Sequence, residues 1–303
     1  MKKQPKRHHY VPKFLLKNFS ESDKVYVFEK RKCKSFKNNI NNTFVEKDFN
    51  TIQKSIKLEE AYGKIETALA PIIAKIIKEG SINWIDGNEK KSLIEFFAVQ
   101  YERTHIARDN CEKTLSSIIK MNLDMMVASG KIHIPDELKE RMKCDGLQRI
   151  SDFIEPKIDP DFIKSLMHTL LPEGIENTKK LILIKNMMNN FYISDQCAIM
   201  YNQLDLSPLG SIGYLVPGVE MYLPLSPKYT LGIFCRDFIC YSDLGTITAD
   251  KDLVEYLNYL QLAWSRERIA SRYNDFEYAI RMLDKYPMIK VHQMYELKVD
   301  VSH

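Results

Sequence analysis

The sequence is short of the features that most readily announce a function. Its six cysteines (Cys33, Cys111, Cys144, Cys197, Cys235 and Cys240) include no CxxC pair, so neither a zinc ribbon nor a disulfide framework is indicated. Scattered thiols of this kind read as buried free cysteines in a reducing compartment. No apolar run approaches the roughly 20 residues needed to cross a bilayer. The opening residues, MKKQPKRHHYVPKFLL, lack the apolar segment and small-residue cleavage site of a signal peptide. The expectation is therefore a cytoplasmic protein with no membrane partner. There is no glycine-rich phosphate loop, no HExxH, no GxSxG and no dinucleotide fingerprint, which sets aside several large enzyme classes.

Enough apolar material is present (45% of residues) to build a sizeable core, and this excludes global disorder. The net charge is +4, unevenly placed. Six bases (Lys2, Lys3, Lys6, Arg7, Lys13, Lys17) and no acid fall in the first twenty residues, leaving 38 bases against 40 acids in the remainder. The positive balance is thus a local arm. Such an arm either contacts phosphate, with nucleic acid as the partner, or is a solvated tail.

Periodicity predicts an α+β fold: a mainly helical single domain over 1–303 with a small, mostly antiparallel sheet. PKFLLKNF (12–19) reads as a short helix and VYVF (25–28) as a strand. Leu58, Tyr62, Ile65, Leu69, Ile72 and Ile76 stripe a helix over 58–78, with a kink or break near Ala70 imposed by Pro71. A second helix signal runs from Glu89 to about Ser129, with a break near Asp109 and Asn110. Residues 130–177 are punctuated by proline and read as a helical insertion or lid. Strands are expected over 181–201 and 214–241, helix over 250–285, and an edge strand over 288–299.

A few polar residues stand where apolar ones are expected. His8 and His9 directly precede the first helix, whose free N–H groups attract anions and favour a neutral imidazole fit to act as a base or ligand. Adjacent histidines on an extended chain diverge, so a divalent metal there, an open question, needs ligands from elsewhere. The alternative is that Tyr10 and Val11 anchor the N-terminus while the histidines border it. Gln100 falls in the apolar stripe of its helix and Arg103 follows one turn on, implying a structural network or a polar pocket. Glu59 and Glu66 lie two turns, ~10 Å, apart on one flank, either solvated or with Glu66 paired to Arg103. Ser194 and Asp195 follow the strand Phe191–Ile193, an address for an active-site carboxylate and equally for an Asx-turn.

The run His8-His9-Tyr10-Val11-Pro12-Lys13-Phe14-Leu15-Leu16-Lys17-Asn18-Phe19 resembles the opening of a mainly bacterial family known as a domain of unknown function, DUF4238, whose members begin with an HYVP-type motif. The resemblance continues through Asp48-Phe49-Asn50, the Glu59–Glu66 helix start, Gln100-x-x-Arg103-Thr104, Ser194-Asp195 and Pro224-Leu225-Ser226-Pro227. Where the family often has proline after the Arg-Thr pair and soon after the Ser-Asp pair, this chain has His105 and Cys197. The resemblance implies that these polar residues belong together and supplies no reaction.

Two readings follow. In the first the protein is a hydrolase acting on a phosphate-containing substrate such as nucleic acid. His9, with His8, Asp195 and Glu66, would be catalytic, and Gln100, Arg103, Tyr10 and Ser194 would bind substrate. In the second it is a non-catalytic anion- or protein-binding module, of a kind suited to a bacterial defence or stress system.

Overall fold

The computed structural model describes residues 6–53, 55, 57–167, 174–188, 190–202, 204, 213–238 and 245–291. Lys2, Lys3 and Cys240, singled out above, lie outside them, as does most of the expected edge strand over 288–299. In chain order the elements are β1 (Arg7–His9), α1 (Lys13–Phe19), β2 (Lys24–Glu29), β3 (Lys34–Asn39), β4 (Val45–Lys47), α2 (Lys57–Glu79), α3 (Gly87–Glu102) and α4 (His105–Ala128). Then follow α5 (Asp136–Cys144), α6 (Ile150–Phe153), α7 (Pro160–Met167), α8 (Ile175–Thr178), β5 (Lys179–Asn186), β6 (Ile193–Ser194) and β7 (Ile199–Asn202). The chain continues with β8 (Val219–Ser226), β9 (Tyr229–Cys235), β10 (Thr246–Ala249), α9 (Lys251–Trp264), β11 (Arg268–Ser271) and α10 (Glu277–Lys285).

The α+β expectation holds, but the single domain with one small sheet is corrected. The chain divides into two compact units, 1–104 with 170–303, and 105–169. Among the described residues the first unit carries three sheets: β1-β4, the four-stranded β3-β2-β11-β6 and the five-stranded β10-β5-β9-β8-β7. Pairing is antiparallel throughout except between β10 and β5. Sequence pattern missed β10 and read β11 as part of the helix expected over 250–285, because each is four residues long and neither alternates clearly. β11 pairs with β2, so it closes a sheet begun some 240 residues earlier, and no local periodicity records such a partner.

The five-stranded sheet is buried on both faces. Along β5, Leu181 and Leu183 join one apolar cluster with α1, α2 and α3, while Ile182 and Ile184 join a second with α9 and α10. A strand covered twice reads as a continuous apolar run, which is why LILI carries no alternation. On α1, Leu15, Leu16 and Phe19 are fully buried and the helix packs on β8. Helix α2 runs through Pro71 without a break. Pro71 and Thr67 both face solvent, so water can satisfy the Thr67 carbonyl that the proline leaves unbonded. Gly80 ends α2 at φ +62°, where a Cβ would collide with the Tyr229 hydroxyl. Asp86 and Glu89 form a reciprocal capping box at the start of α3.

The expected break near Asp109 falls instead at Arg103 and Thr104. Arg103 caps α3 at φ −78°, ψ 4° and its N–H still donates to the Val99 carbonyl. Beyond this point the second unit is helical by itself, built from α4 to α7 with a small core of Ala107 and Ile163 flanked by Cys111, Leu115 and Ile158. Within it, Asp124 accepts from both the backbone N–H and the hydroxyl of Ser151 at the start of α6, at 3.1 and 2.6 Å. No described helix is long and apolar enough to cross a membrane.

Leu16→Ala should lower the unfolding free energy by about 2–5 kcal/mol, the usual cost of emptying a closed core site. The measurement is a urea titration: the midpoint should fall with little change in slope, and a midpoint unmoved within error would contradict the packing of α1.

Candidate functional site

The N-terminal motif is held as a short strand. β1 pairs antiparallel with β4, placing His8 opposite Glu46 and His9 opposite Val45. Side chains alternate along a strand, so the two histidines part company. His8 turns inward, fully buried, and its Nδ1 accepts the backbone N–H of Asn50 at 3.0 Å. The Asn50 side chain in turn donates to Glu59 on α2 at 2.7 Å. His9 is half-buried and its Nε2 lies 3.1 Å from the Ile40 carbonyl. A carbonyl only accepts, so Nε2 carries the proton and Nδ1 carries the basic lone pair. Burial lowers the His9 pKa below the ordinary 6.5; the Ile40 carbonyl opposes this, Arg103 adds to it, and Glu66 and Glu59 oppose it. The ring is therefore a neutral imidazole at pH 7.

Arg103 binds three chain segments together. Its Nε donates to the Tyr10 carbonyl at 2.9 Å and its Nη1 to Glu66 Oε1 on α2 at 2.6 Å. The guanidinium also stands 5.4 Å from the centre of the Tyr62 ring. It is 1% exposed, whereas the Glu66 side chain is 25% exposed, so the pair is buried from one side only. The Nη2 of Arg103 has no partner among the described residues, and neither polar atom of the fully buried Gln100 side chain has one. Gln100 sits one turn before Arg103 on α3.

Tyr10 packs its ring against Phe44 and Phe49, with centroids 6.0 and 5.5 Å away. Burial, with the Asp195 charge adding, raises its hydroxyl pKa well above the usual phenol range. Tyr10 thus supplies a carbonyl to Arg103 and a wall to the aromatic cluster.

The Ser194–Asp195 pair belongs to a second web. Both Asp195 oxygens are taken by the turn into β11 and its first residue, accepting from the N–H groups of Arg266, Glu267 and Arg268 at 2.7, 2.8 and 2.9 Å. Burial pushes this carboxyl up, while the three N–H donors and the ammonium of buried Lys30 pull it back. Lys30 is itself lowered to about 8 by burial, and its Nζ donates to the Ser265 carbonyl. Ser194 Oγ lies 2.7 Å from both Gln196 O and Gln261 Oε1. Gln196 Oε1 meets the Thr104 hydroxyl and its Nε2 donates to the Ala198 carbonyl at 3.0 Å.

Of the residues expected from sequence, His9, Glu66 and Arg103 share one electrostatic neighbourhood, with Tyr10 tied in through its carbonyl. His8 faces Asn50, and Asp195 and Ser194 serve the β6–β11 region. Sequence reasoning gave no part to Gln196, Gln261 or Lys30, and reached Asn50 and Thr104 only through the family resemblance. Asn258 and Gln261, polar and three apart on the buried face of α9, carried a readable signal; Lys30, at a strand end, carried none. Among the described residues no three His, Cys, Asp or Glu side chains gather closely enough to hold a metal.

Arg103→Ala should destabilise by on the order of 3 kcal/mol, since it strands a carboxylate and a carbonyl together. Arg103→Lys should recover less than half of that, because one ammonium lacks the fork that reaches both acceptors. Thermal unfolding of the two variants checks this, and equal melting temperatures for Arg103→Lys and wild type would contradict it.

Neither a curated protein nor a solved structure matches the chain. A family model described as a protein of unknown function (DUF4238) matches residues 7–275, close to the whole length, and the chain belongs to that family.

Proposed function

We propose that this protein is a hydrolase acting on a phosphate-containing substrate, with nucleic acid the first candidate. The reading is supported chiefly by unused polar capacity in one neighbourhood: Arg103 Nη2 and the Gln100 amide are buried and unpartnered, beside a neutral His9. Buried donors left unsatisfied cost about 1–3 kcal/mol each, so a site that keeps them is suited to a ligand that fills them. An anionic oxygen matches both donors.

His9 is the base. Its Nδ1 takes a proton from water as the water oxygen bonds to phosphorus; the bond to the leaving oxygen breaks and that oxygen is protonated from solvent. Arg103 Nη2 and Gln100 Nε2 carry the charge that grows on the phosphoryl oxygens. Glu66 holds the guanidinium in place through its 2.6 Å contact. Asp195, with both oxygens engaged by backbone, positions the turn before β11. The described bases of the N-terminal arm (Lys6, Arg7, Lys13 and Lys17) add phosphate contacts, although Arg7 also donates to Asn42 Oδ1 at 2.9 Å.

A second reading draws support from the engagement of Asp195 by three backbone N–H groups and of Glu66 Oε1 by Arg103, which gives two of the four expected catalytic side chains structural partners. On that reading the protein is a non-catalytic module that binds an anion or a protein partner at the same groups.

The test is cleavage of labelled RNA and DNA by the purified full chain, with and without Mg²⁺, Mn²⁺ or Zn²⁺. His9→Gln should lose at least about 100-fold in rate, the usual contribution of a general base, with its melting temperature near that of wild type. Absence of cleavage by wild type under every condition would leave the binding module standing. Because burial lowers the His9 pKa below the ordinary value, the wild-type rate should be level at and above neutral pH and fall as acid protonates the ring. The same linkage acts on stability. The unfolded chain takes up the His9 proton first, so this contribution to stability is lost as pH falls through 6.5 and levels off below the folded pKa. His9→Gln should flatten that limb of the pH–stability curve; an identical curve would contradict a buried neutral ring.

A further inference from the structure

A second basic concavity lies in the same compact unit, and none of its lining residues belongs to the His9–Arg103 cluster. It encloses about 680 Å³, and its walls carry Lys90, Lys179, Lys180 and Arg236, together with the apolar side chains of Ile82 and Leu181. That volume falls within the range of small-molecule sites. No acidic residue lines it among the described residues. Lys90, Lys179 and Arg236 make no ion pair among the described residues.

These cations are placed by different elements. Lys90 projects from the first turn of α3, Lys179 and Lys180 open β5, and Arg236 follows the end of β9. Lys179 is 1% exposed, and its Nζ finds a soft partner in Cys235 Sγ at 3.0 Å. Burying a lysine without a carboxylate is costly, and a thiol replaces little of its lost hydration. Lys90 has its pKa lowered by burial and then by the Arg236 charge, with the Glu176 carboxylate on α8 opposing. Like charges converging on one space raise its free energy until an anion enters. Ile82 and Leu181 give the same space an apolar wall that a bare ion would not use.

We propose that this concavity binds an organic phosphate, its phosphate groups meeting Lys90, Lys179 and Arg236 and its body packing against Ile82 and Leu181. The site goes beyond the hydrolase reading and does not depend on it.

The experiment is isothermal titration of the full chain with ADP and with inorganic pyrophosphate as probes. Both should bind, ADP the more tightly, with affinity falling as salt is raised. The double variant Lys90→Gln, Arg236→Gln removes two charges without touching the buried Lys179, and should weaken both probes at least tenfold at an unchanged melting temperature. His9→Gln should leave both affinities as they are. Failure of wild type to bind either probe, or unchanged affinity in the double variant, would overturn the site. Equal affinity for ADP and pyrophosphate would overturn the part given to the apolar wall. Loss of binding in His9→Gln would place the probes at the other cluster and overturn the assignment, whereas loss of hydrolysis with probe binding intact would bear on the first site alone.

Discussion

A guanidinium taken out of water has to recover its hydration from the protein around it, and Arg103 recovers it from two directions. The Tyr10 carbonyl fixes the N-terminal segment to it, and the Glu66 carboxylate fixes α2 to it. Three stretches far apart in sequence thereby meet at one side chain, with the Tyr62 ring closing a further side. Arginine suits the position because its planar fork serves two acceptors at once. Much else follows from this anchoring. β1 is only three residues long and pairs with an equally short β4, so backbone bonding alone gives little to hold it. The second anchor is His8 with Asn50 and Glu59, which ties the same strand to the start of α2. Between these two clamps, His9 is held half-buried with its proton committed to Ile40.

The polar residues of the first unit thus fall into two kinds of network. Around Asp195, the carboxylate accepts three backbone N–H groups, and the Ser194–Gln196–Gln261 chain links β6 to α9. A satisfied network of this kind specifies one structure and rigidifies it. Around Arg103, hydrogen-bonding capacity stays open at Nη2 and at the Gln100 amide. The buried Nε of Arg268, beside Asp195, is likewise without a partner among the described residues. What sets the Arg103 cluster apart is that three such atoms lie one helical turn apart at the end of α3.

Which parts of the fold and the site were legible in the sequence depends on the range of the interaction. The α1 and α2 stripes, VYVF and the LILI strand are local patterns, and each element stands where its pattern puts it. The pairing of Glu66 with Arg103 was readable as one of two alternatives, because a buried arginine calls for a carboxylate and one stood on the neighbouring helix. The sheets were not legible at their true size. β2 with β11 and β6 with β11 join segments separated by long stretches of chain, and the four residues of β11 carry too little pattern to advertise a partner. Asp195 was ambiguous for a different reason. A carboxylate after a strand looks the same in sequence whether it serves a reaction or a turn, and the deciding donors come from Arg266–Arg268, some seventy residues away.

The displaced break in the long helix shows why local pattern gives way at the site. Apolar spacing continues smoothly from Leu93 through Ala107, and propensity alone would carry one helix across Arg103. The chain leaves helical register there because the side chains at the break have stronger demands than the backbone. Arg103 must reach Tyr10 and Glu66, and the Thr104 hydroxyl is engaged by Tyr101 O and by Gln196. Interrupting a helix forfeits bonds worth about 0.5–1.5 kcal/mol each, whereas a buried arginine without its carboxylate forfeits several kcal/mol. The costlier loss is the one the chain avoids, and the helix yields. The residues that end α3 are also those that build the candidate site, so a polar pair inside an apolar stripe was the one local sign that helix and site would compete for the same positions.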